Sequence, residues 1–326
     1  MAILGWTRTE SPFHRGELAL QGRLGAQERM DRQGRRFIRE YLLEQHQQFF
    51  AQLPYLIVGT VDELGRPWAS ILVGEAGFVS SPNDCTLHLA AKPLFGDPLA
   101  ETLTAGIDIG LLGIELHTRR RNRLNGVVST VGDGGFEVRV VQSFGNCPQY
   151  IQARQFEFVE FEPGTPKPIR EITRLSERER DAIAASDTFF IATAYQDESA
   201  GAASGVDVSH RGGKPGFVRV DGDGTLTVPD FSGNSHFNTF GNIELNPRAG
   251  LLFVDFNSGD LLFLTGTAEV IWEGAEITTY EGAERLMRFW PEQGYWVEGR
   301  LPLRWSAPEF SPFLARTGSR SLPDKH

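Results

Sequence analysis

A chain of 326 residues, 40% hydrophobic and 23% charged, is long enough for two domains with cores of their own and lacks a disordered composition. Its formal charge of -10 argues against a broad nucleic-acid surface but leaves room for a local basic pocket. The only cysteines, Cys85 and Cys147, have no metal-type spacing and suit a reducing compartment, and no apolar run is long enough to predict a membrane span.

Residues 1 to 25 form a polar, glycine-punctuated arm, expected to pack over a domain surface or to be mobile. Its start, Met1 to Arg8, has neither the apolar length nor the charge order of a secretory signal, so a cytoplasmic location follows by elimination. From Ala26 to Gln52, the apolar Met30, Phe37, Tyr41 and Phe49 share a broad face and predict a helix, weakened in the middle by Gly34. Pro54 closes it. Strands follow over Leu56 to Val61 and Trp68 to Val73, joined by the turn Asp62 to Pro67. A hairpin pairs Phe78-Val79 with Thr86 to Ala90, and residues 94 to 106 read as a short helix. Ile109 to Leu116 is a central strand, followed by strands led by Arg123 and over Phe136 to Gln142.

Residues 146 to 153 read as a helix start with Asn146 as cap. Glu162 to Pro168, rich in proline, is the best boundary. It divides the chain into an arm and helix over 1–52, a first strand-rich domain over 53–161, a linker over 162–174 and a second domain over 175–326. Ser176 caps the next helix. Beyond it come a strand ending near His210, a strand over Leu226 to Asp230, a polar helix between Gly233 and Pro247 and an apolar strand over Gly250 to Asp255. From Ala283 onward, Leu286, Met287, Phe289 and Trp290 have the spacing of an amphipathic helix. Arg316 to His326 reads as a disordered end.

The second half repeats the first. Gly77-Phe78-Val79 matches Gly216-Phe217-Val218 at an offset of 139, and Gly110-Leu111-Leu112 matches Gly250-Leu251-Leu252 at 140, as Gly126 matches Gly266. This predicts an internal duplication of one strand-rich domain.

The densest constellation is Asp207-Val208-Ser209-His210-Arg211-Gly212-Gly213-Lys214. Backbone N–H groups in such a glycine-rich turn, with a guanidinium and an ammonium beside them, suit a phosphate. A surface hairpin with solvated cations is the plain alternative. The order DVSHRGGKPGFV, LTVPD, SGN, NI-x-x-NP-x-x-GLLF and L-x-x-x-G resembles the FMN-binding split barrels related to pyridoxamine 5'-phosphate oxidase. The resemblance implies a mostly β chain with peripheral helices, two tandem split barrels packed as a pseudo-dimer, and FMN in the groove between them. It further implies cofactor roles for Ser209, His210, Arg211, Gly212, Lys214, Asn234, Thr239 and Asn242. From the first half it implies Arg123 and Asn125, through the pattern Arg-x-Asn-Gly, and a segment at Asn146-Cys147-Pro148 near the flavin. Gln149 departs from the lysine common in relatives.

The repeat sharpens the expectation. Leu72 and Glu75 stand where the second half has Arg211 and Lys214, whereas Phe263 stands where the first half has Arg123. Each half keeps what the other has lost, so one flavin per chain should draw contacts from both. The function implied is an FMN-dependent oxidoreductase with NADH or NADPH as donor. A non-enzymatic flavin-binding or electron-transfer protein and a haem protein with His210 or His236 as axial ligand are the alternatives. His210 and Cys147 are the candidate proton-transfer and redox groups. No metal is expected, and a homodimer is left open.

Overall fold

The computed structural model describes residues 5–160 and 169–318. The expected signal-free start (in part), the Pro-rich linker core and the last residues of the tail, 319–326, lie outside them. Three helices open the described chain: α1 (Arg15–Arg23), α2 (Gln27–Phe37) and α3 (Glu44–Ala51). Strands β1 (Tyr55–Val61), β2 (Pro67–Val73), β3 (Val79–Asn83) and β4 (Thr86–Leu89) precede the four-residue helix α4 (Leu99–Thr102). Then come β5 (Asp108–Glu115), β6 (Arg120–Gly132), β7 (Gly135–Gly145), β8 (Phe156–Phe158) and β9 (Ile169–Ile172). The second half has α5 (Glu177–Ala185), β10 (Thr188–Tyr195), β11 (Gly205–Gly212), β12 (Arg219–Val220) and β13 (Leu226–Phe231). It ends with α6 (Asn238–Leu245), β14 (Arg248–Val254), β15 (Leu261–Ile271), β16 (Ala283–Val297) and β17 (Leu303–Trp305). The molecule is mostly β, with peripheral helices around two large antiparallel sheets.

The two sheets share one strand order. The first runs β2-β1-β5-β6-β7-β4-β3 and the second β11-β10-β14-β15-β16-β13-β12, with β9 added on β16. Their registers agree as well. Ser70 pairs with Val58, itself opposite Leu111, and Ser209 pairs with Ile191, itself opposite Leu251. Arg123 lies opposite Leu112 and Phe263 opposite Leu252. The repeated Gly126 and Gly266 each sit at a β-bulge in the corresponding hairpin. A Cβ there would lie 2.4 Å from the Arg139 carbonyl oxygen and 2.0 Å from that of Trp290. Only glycine permits so close an approach.

Each sheet covers its own core, Leu56, Val58 and Leu111 in the first and Ile191, Leu251 and Phe289 in the second. A third core lies between the sheets and joins Ile57, Ile71 and Leu112 to Phe190, Val208, Leu252 and Phe263. Strands β1 and β10 alternate between these layers, which is why both are buried along nearly their whole length.

Several sequence expectations are corrected. The helix expected over Ala26 to Gln52 is two, because Ile38 is extended and Arg39 exchanges backbone hydrogen bonds with Ser143 on β7. The arm carries α1, capped by a box in which Gly16 N–H donates to His14 Nδ1 and His14 N–H to the Glu17 carboxylate. The expected helix within 94–106 is confined to four residues. No helix forms at 146–153: Tyr150 takes a φ of 61° and Ala153 bridges to Glu309. The amphipathic helix expected from Ala283 is the long strand β16. The connection 272–282 is far longer than its counterpart 133–134, so the constant offset fails there and hides the repeat. Of the supposed disordered end, Thr317 is buried. Ile169–Ile172, assigned to the linker, pairs with β16.

Candidate functional site

The site begins with the alternation of β11. Val206 and Val208 are β-branched and buried, and successive side chains point to opposite faces. Val208 joins the core between the sheets, and the His210 ring meets Phe190 edge-on at 5.8 Å on that side. Asp207, Ser209 and Arg211 therefore share the other face. The strand ends at Gly212, where a Cβ would stand 2.0 Å from the Tyr150 carbonyl oxygen. Glycine is what lets the loop after β7 close over β11.

Arg123 reaches this face from β6. Its Nη1 lies 2.6 Å from Asp207 Oδ1, and its Nη2 donates to Ser209 Oγ. Thr239, on α6, shares a 3.0 Å hydrogen bond with the same hydroxyl. Asn125 hydrogen-bonds Asp207. Burial pushes Arg123 down and Asp207 up, and each charge offsets the other's shift. The first half thus supplies a buried cation to the second.

Above this pair lies an open cleft of about 140 Å³ between the sheets. Arg121, Arg123, Arg211 and Arg285 converge on it, with Ser209, Thr239, Asn234, Asn146 and Cys147 in its walls. Arg211 Nη1 sits 2.5 Å from Asp230 Oδ1, and Arg285 Nε 3.2 Å from Oδ2 of the same carboxylate. Arg285 also pairs with Glu284, and Arg121 Nε donates to the Cys147 carbonyl at 2.7 Å. Phe240 lies 4.6 Å beneath the Arg211 guanidinium. Arg211 Nε and Arg285 Nη1 are buried without hydrogen-bond partners. Burial and the neighbouring Arg123 and Arg211 push Arg121 down to about 10, which leaves it a cation at neutral pH. Ser235 and Phe237, at φ 58° and 62°, hold the loop at the rim in the left-handed region that non-glycine residues avoid.

Not every expected residue comes to the cleft. Lys214 Nζ turns away and donates to the Thr317 carbonyl at 2.5 Å. Asn242 is spent on structure, bonded to His14 Nε2 and Thr193 Oγ1. His210 contributes backbone, its carbonyl accepting from Arg121, while burial and the nearby guanidiniums hold its ring neutral. Asn125 acts only through Asp207. His236, the other suggested axial ligand, packs against Phe13 and Phe144 with its ring neutral. Sequence reasoning missed Arg121, Arg285, Asp207, Asp230 and Glu284. Arg121 was legible as the residue two before Arg123 on one strand, and therefore on its face. Arg285 was hidden because the pattern of its strand also fits a helix.

No family model and no curated protein matches the chain. Among solved structures, it is weakly similar to HupZ from Group A Streptococcus, at 18% identity and a TM-score of 0.28 over 36% of this chain and 90% of that one. It is similar to a Clostridium acetobutylicum protein related to general stress protein 26 of B. subtilis, of the pyridoxinephosphate oxidase family, at 16% identity and a TM-score of 0.26 over 40% and 91%. HutZ, the heme storage protein from Vibrio cholerae, gives 16% identity and a TM-score of 0.26 over 39% and 97%. Likeness of this degree says nothing of what the chain binds.

Proposed function

We propose that this chain is an FMN-binding protein of two tandem split barrels, over 53–161 and 175–326, packed as a pseudo-dimer with one flavin site between them. The observation that carries the reading is the convergence of Arg121, Arg123, Arg211 and Arg285 with Ser209 and Thr239 on one cleft. A phosphate accepts charge-assisted hydrogen bonds from such guanidiniums and hydroxyls. Four guanidiniums face the three carboxylates of Asp207, Asp230 and Glu284, so an anionic ligand completes the balance. The cleft's volume of about 140 Å³ is below the roughly 300 Å³ at which pockets for drug-sized ligands begin. It therefore suits the phosphate end of FMN, the remainder lying in the open mouth.

Arg211, Arg285, Arg121, Ser209 and Thr239 would hold the phosphate, and Arg123 would keep Ser209 oriented. Bound FMN would supply hydride or electron transfer at its ring. An FMN-dependent oxidoreductase using NADH or NADPH is the activity proposed; Cys147, in the cleft wall, is the one candidate redox group left there by the sequence reading.

Titration of FMN into flavin-free protein, followed by flavin fluorescence, tests the reading. One site per chain is expected. Arg211→Ala should weaken binding by about one to two orders of magnitude, from the loss of a charge-assisted contact. The paired replacement Arg123→Met with Asp207→Leu removes the buried ion pair without orphaning a charge, so it should weaken FMN while the fold holds. Leu72→Met, at the matching place in the first sheet, should leave affinity unchanged. Two equivalent sites per chain, or unaltered affinity in Arg211→Ala, would overturn the proposal, as would a Soret band in the isolated protein. Rapid anaerobic bleaching of bound flavin by NADH or NADPH separates an enzyme from a carrier.

A further inference from the structure

The arm that precedes the first sheet is tied to the second half, behind one wall of the cleft. α1 packs on α6 with glycines at the contact. A Cβ on Gly16 would lie 2.2 Å from the Gly241 carbonyl oxygen, and one on Gly241 2.6 Å from the Glu17 backbone nitrogen. Polar side chains surround this contact. Asn238 Nδ2 donates to Glu17 Oε1, His14 Nε2 lies 2.9 Å from Asn242 Oδ1, and Gln21 Nε2 donates to the His236 carbonyl at 3.2 Å. Glu17 and Gln21 are both buried. The segment they hold shapes the cleft: Ser235, Phe237, Asn238 and Thr239 line it, and Thr239 bonds the Ser209 hydroxyl.

The protons in this contact follow from the partners. Gly16 N–H donates to His14 Nδ1, so the single proton of the neutral His14 ring is on Nε2 and goes to Asn242 Oδ1, while Asn242 Nδ2 donates to Thr193 Oγ1. His14 therefore brings no cation to Glu17, although its Nε2 stands 3.5 Å from Oε2. Burial holds His236 neutral as well, and the Arg15 guanidinium lies over the Tyr195 ring. The charges that act on Glu17 are Asp207 on β11 and Arg123 on β6, already paired with each other. Burial outweighs the donors His14 N–H and Asn238 Nδ2 and raises Glu17 to about 8, so it is a neutral acid at pH 7. Ionised, it would be a second buried anion beside Asp207, competing for a guanidinium that already serves Asp207 and Ser209. We propose that the neutral Glu17 carboxyl is a positioning group for the cleft, holding Asn238 and with it Thr239 and the rim, and that loss of its proton releases this wall. Its effect on FMN rests on the flavin reading above, whereas its hold on α6 does not.

Amide hydrogen exchange in the flavin-free chain reads the wall, and FMN titration by flavin fluorescence reads the site. Gly241 and Asn246 N–H bond the Phe237 and Asn242 carbonyls within α6 and at its end. Between pH 7 and 9, corrected for intrinsic exchange, both should lose about tenfold in protection, the change expected for one proton with a midpoint near 8. Arg180 N–H on α5, bonded to the Ser176 carbonyl, should keep its protection. Glu17→Gln, an isostere of the neutral acid, should match the wild type at pH 7 and hold that protection to pH 9. Glu17→Ala should have lost it already at pH 7. FMN affinity should fall by about tenfold from pH 7 to 9 in the wild type and stay flat in Glu17→Gln. Equal loss in α5 and α6, no loss in α6, or a loss that persists in Glu17→Gln would overturn the positioning role. A flat wild-type FMN profile beside the expected exchange would overturn the link to the ligand. Absence of FMN binding at every pH would instead overturn the flavin reading, with the exchange still deciding the role of Glu17.

Discussion

Asp230 governs the cleft at the scale of a single residue. It holds both Arg211 and Arg285, and burial raises its carboxyl while those two cations pull it back down. Its charge also opposes any phosphate brought to the same guanidiniums. Asp230→Asn keeps a hydrogen-bonding group in place and removes the competing charge. FMN should then bind more tightly, by about tenfold for one unit charge at partly screened range. Flavin fluorescence titration measures it, and weaker binding would mean that anchoring the two arginines outweighs repulsion.

The element that brings the halves together is a pair of central strands. Gly110 on β5 faces the backbone of β11, and Gly250 on β14 faces that of β2; a Cβ at Gly250 would stand 2.2 Å from the Pro67 carbonyl oxygen. These glycines let the sheets dock backbone to side and so carry Arg123 over Ser209. Gly250→Ala should destabilise the protein by about 1–3 kcal/mol, the usual cost of overpacking. It should also weaken FMN, because the arginine and the hydroxyl separate. A urea midpoint and a flavin titration on one preparation check both, and an unchanged midpoint would refute the close docking. The repeat of Gly110 as Gly250 was visible in the sequence, but not what each glycine approaches.

For the whole molecule, stability should peak near pH 6.5. Burial lowers His14, His46 and His236 to about 4 from an ordinary 6.5, so each is neutral when folded and takes a proton on unfolding as the pH falls. Their contribution is full above about 6.5 and is lost toward pH 4, with a slope of up to about 1.4 kcal/mol per pH unit for each. Asp97, raised to about 6, and Glu17, raised to about 8, work in the opposite sense, because their neutral forms favour the fold. Glu17 contributes fully below about 4.5, and that contribution is lost as pH rises through 8. From pH 6.5 to 8 its influence stands largely alone, so stability should fall by about 2 kcal/mol over that range. Glu17→Gln should flatten this limb in urea melts at stepped pH and steepen the acid limb above about pH 4.5, where Glu17 opposes the histidines; a persistent fall would assign it elsewhere.

The chain by itself determined the local matters. Short apolar runs wrote β1, β2 and β5, Ser176 wrote the start of α5, and the offset of Gly110 to Gly250 wrote the repeat, since strands, caps and duplicated cores leave their pattern in sequence. The exchange of Arg123 against Phe263 and of Leu72 against Arg211 pointed to the two sides of the cleft, and the registers agree with that alignment. Tertiary structure alone decided the rest. Lys214 belongs to the run that suggested a phosphate turn, yet its reach is long and a carbonyl at Thr317 claims it. β16 has a pattern that fits a helix as well as a strand, and pairing along both edges, with β15 on one and β13 and β9 on the other, settled it. Asp230 and Arg285 are far apart in sequence and meet only because β13 pairs with β16. Such meetings depend on distance through space, which no spacing along the chain records.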